Sequence, residues 1–238
     1  MSLLVCNEYK SPNYNIRKNL DLIDTVIIHY TGMRNAKTAL NYLCNKKSKV
    51  SAHYFINEEG KLWQIVEDKN IAWHAGVSKW LDRKNLNETS IGIELENPGH
   101  QHGYKEFTFD QYEMLEKLIN SLINKYNIKI DRILGHSDIA PSRKTDPGEK
   151  FRWHRLAEKN ISIWPKNILN VPEDIYSDKL LYNLLSSIGY DVKNHYKDSV
   201  MAFKRRFMPS DLNENINEAL LKVAYSVNLE FTKVRSLY

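Results

Sequence analysis

The sequence predicts an α/β chain built in two unequal parts. Up to about residue 166, short β-branched and aromatic runs alternate with helical patterns; beyond residue 172 only helical patterns occur. Size agrees: at about 150 residues per domain, 238 residues leave room for one large domain and a small one. The predicted boundaries are 1–166 and 172–238, with residues 167–172 as a linker and Pro172 opening the next helix.

Each element has its own signal. Thr25-Val-Ile-Ile-His-Tyr-Thr31 is β-branched and aromatic and ends at Gly32, which reads as a buried strand. Residues 36–45 read as a short helix. Residues 52–57 and 61–66 flank Glu58-Glu59-Gly60 and read as a hairpin. Ser90-Ile-Gly-Ile-Glu-Leu-Glu96 alternates until Asn97-Pro98-Gly99 stops it. From about residue 110 to 126, Leu115, Leu118, Ile119, Leu122, Ile123 and Tyr126 form one apolar stripe. Thr108 and Gln111 fit a capping box ahead of it, with Phe107 and Tyr112 as the staple. Arg132-Ile-Leu-Gly135 is a short strand leading into a polar loop over 136–150, followed by a turn or two of helix over 151–159. Three more stripes follow: Leu181, Leu184, Leu185 and Ile188, ended by Gly189; Val200, Phe203 and Phe207, stopped by Pro209; and Ile216, Leu220 and Val223.

Composition narrows the function classes. Hydrophobic residues make up 42% and charged residues 26%, which excludes wholesale disorder and a membrane-embedded bundle. No uncharged run, residues 180–190 included, approaches the ~18 apolar residues of a membrane span. Cys6 and Cys44 are too few for a disulfide framework or a four-thiolate metal site, and read as separate buried thiols. Residues 172–238 carry nine Lys/Arg and nine Asp/Glu, so the whole net charge of +5 lies in the first 171 residues. That bias suits an acidic polymer but is too diffuse for a nucleic-acid interface. The start, Met1-Ser-Leu-Leu-Val-Cys6, has no basic region and too short an apolar run for an export signal.

Two histidines and one aspartate stand out. His29 lies at the C-terminal end of a buried strand, where α/β sheets place their sites. His136 follows another strand, and Asp146 comes ten residues later in Arg143-Lys-Thr-Asp-Pro-Gly148. Pro147 biases Asp146 toward extended backbone. Two imidazoles and a carboxylate make a hydrolytic zinc site with one position left for water. The competing reading from spacing alone is that Asp146 caps a turn and both histidines are satisfied core residues. No short ligand motif such as His-Glu-x-x-His decides between them.

Five blocks occur in order: Ile27-Ile-His-Tyr-Thr31, Ser51-Ala-His-Tyr54, Ala72-Trp-His-Ala-Gly76, Ser90-Ile-Gly-Ile-Glu-Leu-Glu96 and Gly135-His-Ser-Asp-Ile-Ala-Pro-Ser-Arg-Lys-Thr-Asp-Pro-Gly148. Over about residues 11–165 the chain resembles zinc-dependent N-acetylmuramoyl-L-alanine amidases of the AmpD/AmiD type, relatives of phage amidase lysozymes and peptidoglycan-recognition proteins. The resemblance implies a mixed central β-sheet flanked by helices, and Zn²⁺ held by His29, His136 and Asp146. It further implies a catalytic carboxylate at Glu94 and a cationic helper at Lys144, acting on a muropeptide or peptidoglycan. Glu94 and Glu96, two apart on a strand, point to one face, and only the resemblance favours Glu94. Trp73 and His74 are candidates for a substrate-binding wall, with core packing the alternative for Trp73; His53 reads as structural. Ser137-Asp138 lacks a nucleophile elbow around it. Some relatives on this fold only recognise peptidoglycan, and that non-catalytic role is the alternative function.

The end of the chain has a resemblance of its own. Leu184-Leu-Ser-Ser-Ile-Gly-Tyr190, Ala202-Phe-Lys-Arg-Arg-Phe207 and Asn215-Ile-Asn-Glu-Ala-Leu220 are similar to the three-helix peptidoglycan-binding domain. There Lys204, Arg205 and Arg206 are candidates for contact with acidic stem peptides, or else a solvated helix face. A wall-binding unit favours the bacterial envelope or periplasm; the absent export signal favours the cytoplasm.

Overall fold

A computed structural model describes residues 3–172 and 177–237. Among the described residues the strands are β1 (Val5–Cys6), β2 (Tyr14–Ile16), β3 (Thr25–Tyr30), β4 (Tyr54–Ile56), β5 (Leu62–Gln64), β6 (Asn70–Ala72), β7 (Lys79–Trp80), β8 (Arg83–Lys84), β9 (Ser90–Leu95) and β10 (Ile133–Gly135). The helices are α1 (Ala36–Leu43), α2 (Phe109–Tyr126), α3 (His136–Ile139), α4 (Trp153–Glu158), α5 (Asp178–Ile188), α6 (Val192–Phe207) and α7 (Glu218–Ser236). Six strands form one mixed sheet in the order β1-β5-β4-β9-β3-β10. The β4–β5 hairpin is antiparallel, and the remaining pairs of this sheet are parallel.

The central strands β3 and β9 lack the polar alternation of a half-exposed strand because both faces of the sheet are covered. The pleat still sorts their side chains. Val26, Ile28, Ile91, Ile93 and Leu95 pack with Leu115, Leu118, Ile119 and Leu122 of α2. Ile27 and Leu134 face the other way, into a core shared with the C-terminal helices. Helix α2 starts as its sequence demands: the Thr108 hydroxyl accepts from the Gln111 N–H, the Gln111 side chain accepts from the Thr108 N–H, and Phe107 meets Tyr112 edge-on.

The C-terminal helices pack on one another through Leu181, Leu185, Phe203, Leu220, Val227 and Phe231, and the same cluster takes in Ile27, Trp80, Leu134, Ile139 and Ile163. Gly189 makes the closest join. Its φ is +138°, and a Cβ there would sit 2.5 Å from the buried Trp80 ring, so glycine alone fits. Lys79 pairs with Asp191 at 2.7 Å, and Arg235 with Asp131 at 2.8 Å.

Several expectations need correction here. The first C-terminal helix opens at Asp178 under a Ser177 cap rather than at Pro172; residues 173–176 lie outside the described ones. Ile216 precedes α7 and is exposed; the buried stripe runs through Leu220, Leu221, Ala224, Val227 and Phe231 instead. Lys204 and Arg206 are 0% and 3% exposed, so neither is a solvated face or open to a peptide. Lys204 Nζ donates to the Asn213 and Asn215 carbonyls, tying α6 to the loop after it. Cys6 and Cys44 are free and only partly buried, and burial pushes the Cys44 thiol up to about 11.

Candidate active site

Three neighbouring parallel strands, β9, β3 and β10, end along one edge, where parallel sheets leave a crevice. Glu94 on β9 is the register partner of His29 on β3. Gly135 pairs with Ile28, so His136, the first residue of α3, stands beside His29. The loop then returns Asp146, whose carbonyl accepts from the Ser137 N–H at 2.9 Å.

The three side chains converge. His29 Nδ1 lies 2.9 Å from His136 Nδ1 and 3.0 Å from Asp146 Oδ2, and His136 Nδ1 lies 3.1 Å from that same oxygen. All three residues are buried, at 2%, 3% and 7% exposure. Their outer partners fix the tautomers. His136 Nε2 faces the Ala75 carbonyl at 3.1 Å and therefore carries the hydrogen, which leaves a lone pair on its Nδ1. The Ser90 hydroxyl donates to the Leu86 carbonyl at 2.5 Å, so it accepts from His74 Nε2 at 3.2 Å. His74 Nδ1 must then accept from His29 Nε2 at 3.0 Å, and the His29 Nδ1 lone pair also points inward. Two nitrogen lone pairs and a carboxylate oxygen thus meet with no hydrogen between them, which is the donor set of a cation site. A tetrahedral ion with bonds of about 2.05 Å needs donors about 3.3 Å apart, and the observed spacings fit to a few tenths of an ångström.

Electrostatics keep this set ready. Burial, then the neighbouring His136, pulls His29 down to about 4, so it is neutral at pH 7. Burial works against the Asp146 carboxyl, but whenever a proton sits on the facing rings His136 first and then His29 more than offset it and hold that group well below the usual carboxylate range. Burial, then Asp146, pushes Glu94 up to about 8, with Lys144 pulling the other way. One Glu94 oxygen, Oε2, is sealed from solvent and has no hydrogen-bond partner. A cleft of about 640 Å³ joins these groups; His29, Glu94, His136, Lys144, Asp146 and Trp73 line it, and its size suits a ligand of drug size or above.

Glu96, the other acid of its block, lies past the end of β9. Its two oxygens accept from the Ala36 N–H at 2.6 Å and the Glu58 N–H at 3.0 Å, capping α1 and a turn. The period-two rule fails where the strand stops, and that leaves Glu94 facing the cleft. His53 is fully buried, with Nδ1 accepting from the Gly92 N–H at 3.0 Å and Nε2 facing the Asn70 carbonyl at 3.1 Å. Trp73 is half-buried, donates to Asn15, and lines both the cleft and a second hollow of about 630 Å³. His74 is 8% exposed and lies behind His29, with both ring nitrogens engaged inside the protein.

The segment 72–76 therefore supports both imidazoles, His74 behind His29 and the Ala75 carbonyl behind His136. Sequence reasoning missed the Ala75 and Ser90 roles, although both residues sit in quoted blocks. Gly92 completes the arrangement, because a Cβ there would lie 2.4 Å from the His74 ring. Gly92→Ala is expected to destabilise the fold by about 1–3 kcal/mol and to weaken metal binding at least tenfold. Thermal melts and chelator competition check this, and unchanged metal affinity would count against the role given to His74.

Comparison with known proteins identifies the family. The N-acetylmuramoyl-L-alanine amidase family profile matches residues 19–149, more than half of the chain. The amidase AmiD of Escherichia coli K12 is 37% identical over 234 residues, spanning 84% of this chain and 83% of the relative. The 1,6-anhydro-N-acetylmuramyl-L-alanine amidase AmpD of Haemophilus influenzae is 35% identical over 168 residues, spanning 63% of this chain and 89% of the relative. A solved complex of the E. coli AmiD with anhydro-N-acetylmuramic acid-L-Ala-D-γ-Glu-L-Lys superposes with a TM-score of 0.76 at 32% identity, covering 87% of this chain and 88% of that one. With the family profile, the relatives and the fold in agreement, the chain belongs to the N-acetylmuramoyl-L-alanine amidase family, enzymes that hydrolyse the amide between N-acetylmuramic acid and L-alanine.

Proposed function

We propose that this amidase is zinc-dependent, with His29, His136 and Asp146 as the ligands, Glu94 as the proton carrier and Lys144 as the cationic helper. The observation that carries the reading is the meeting of three inward lone pairs beside the unpartnered Glu94 oxygen in one cleft. Zinc held there supplies a Lewis acid for the scissile carbonyl and lowers the pKa of its water to about 7. Burial holds the Glu94 proton in the metal-free protein, but a dication at this site would favour the carboxylate, which would accept the proton of the attacking water and pass it to the departing alanine nitrogen, so that the C–N bond breaks as the new C–O bond is kept. Lys144 offsets negative charge on the carbonyl oxygen, a kind of contribution worth about 3 kcal/mol. Trp73 offers a flat apolar face to the substrate. His74 serves His29, keeping its proton on Nε2. A recognition-only role would leave the unpartnered Glu94 oxygen without a use.

The substrate class follows from the family, and the relative's complex holds an anhydromuramyl peptide. We propose that this chain takes both anhydro and intact glycan ends and acts in the bacterial envelope. The C-terminal helices, which are similar in sequence to a wall-binding unit, support that compartment. No helix among the described residues is long and apolar enough to cross a membrane. Incubating the protein with anhydro-muropeptide, non-anhydro muropeptide and purified sacculi in parallel tests the proposal. Release of stem peptide from all three is expected. Cleavage of the soluble anhydro form alone would overturn the envelope assignment, and no cleavage in any arm despite bound zinc would overturn the catalytic roles.

A further inference from the structure

We infer that Arg206 of α6 is a positioning residue for the metal site, acting through Asp138; the inference rests on reading His29, His136 and Asp146 as zinc ligands. Asp138 lies on α3, two residues after His136, and is 1% exposed. Its Oδ2 accepts from the Gly135 N–H at 2.8 Å and from Arg206 Nη1 at 2.6 Å, and its Oδ1 accepts from the Tyr190 hydroxyl at 2.8 Å. Both partners of this carboxylate beyond its own turn come from the C-terminal helical part, Tyr190 from the turn before α6 and Arg206 from α6 itself.

The guanidinium reaches further than one ion pair. Arg206 Nη2 donates to the Ile133 carbonyl and to Ser162 Oγ, both at 3.2 Å, and its face lies 3.9 Å over the Trp153 ring. One side chain thus grips β10 before His136 and α3 after it. Helix α3 is a single turn and cannot hold its own orientation by backbone bonds alone. Ser137, in the same turn, carries the Asp146 carbonyl on its N–H, so a shift of α3 moves two of the three ligands together. A buried ion pair contributes little net stability against apolar packing, and here we take its role to be fixing one arrangement of α3 against β10. Lys204, next but one on the same helix, bonds only to its own unit and the loop after α6, so the link to the metal loop is particular to Arg206. The C-terminal helices in this reading brace the turn that carries His136 from outside the cleft.

The test uses the full chain, with zinc affinity from chelator competition and the visible spectrum of the Co²⁺-loaded protein as readouts. Arg206→Met is expected to weaken zinc binding 10- to 100-fold and to alter the Co²⁺ spectrum. Tyr190→Phe removes one hydrogen bond without leaving a buried charge unpaired and is expected to weaken zinc severalfold in a folded protein, so it decides the matter if Arg206→Met does not fold. Lys79→Met breaks the ion pair to Asp191 just ahead of α6, whose two side chains bond neither the three ligands nor Asp138, and should leave zinc affinity within twofold. Parent-like affinity in both Arg206→Met and Tyr190→Phe overturns the inference, as does an equal loss in Lys79→Met, which would mark general loosening. His136→Ala separates the two readings. If it keeps tight zinc, the metal reading falls and this inference with it; if it loses zinc while the other variants bind normally, only this inference falls.

Discussion

Glu94→Gln is expected to keep its zinc and lose turnover by about 10²- to 10⁴-fold, the usual contribution of a positioned general base. Glutamine preserves the shape of the side chain and removes its capacity to take a proton, so the pocket stays formed while the water stays unactivated. Metal analysis should give parent-like zinc content, and the loss should appear in kcat with little change in KM. Near-parental rates would move proton transfer to another group. The same variant also tests the burial of Glu94. Its folded carboxyl titrates near 8, above the ordinary 4.5, so the folded chain holds a proton that the unfolded chain has released. Ionisation therefore costs stability in the metal-free protein as pH rises from about 4.5 to 8. Metal-free Glu94→Gln lacks that cost and should lose less stability than the parent across this window. Parallel unfolding curves at pH 5, 7 and 9 measure it, and identical slopes would refute the buried-carboxyl reading.

His136→Ala should lose zinc and activity together. The substitution deletes one of three donors from a site whose atoms lie only 2.9–3.1 Å apart, and it leaves the Ala75 carbonyl without the imidazole hydrogen it accepts, although Arg143 still donates there at 3.1 Å. Two remaining protein ligands do not hold a hydrolytic zinc tightly. Zinc content after dialysis should fall well below one per chain, and hydrolysis of anhydro-muropeptide should drop to the level of the chelator-treated parent. Activity that survives in metal-free buffer would remove the metal from the mechanism. Partial rescue by millimolar zinc would instead show that the remaining donors still converge.

Much of this was readable along the chain because the signals are local. The capping box at Thr108 and Gln111, the apolar stripe of α2, the glycine turn of the β4–β5 hairpin and the buried runs of β3 and β9 each depend on residues within a few positions of one another. The residues proposed as metal ligands were legible for a related reason. His29 lies at the end of β3 and His136 directly follows β10, and strands paired side by side in a parallel sheet end at the same edge.

What the sequence by itself determined is the alternation of strand and helix and the helix-only tail; His29, His136 and Asp146 stood out in it as candidates, and the family resemblance singled them out together with Glu94. The tertiary structure alone decided which of Glu94 and Glu96 faces the cleft, because that depends on where β9 stops and which backbone N–H groups lie within reach of each carboxylate. It also decided that His74 backs a ligand and that Lys204 and Arg206 point inward. A side chain's local pattern states which face of an element it occupies, whereas its partner comes from chain that is distant in sequence, here 45 residues away for His29 and His74 and 68 for Asp138 and Arg206. For Asp138 and Arg206 the burial of each charge depends on that distant partner.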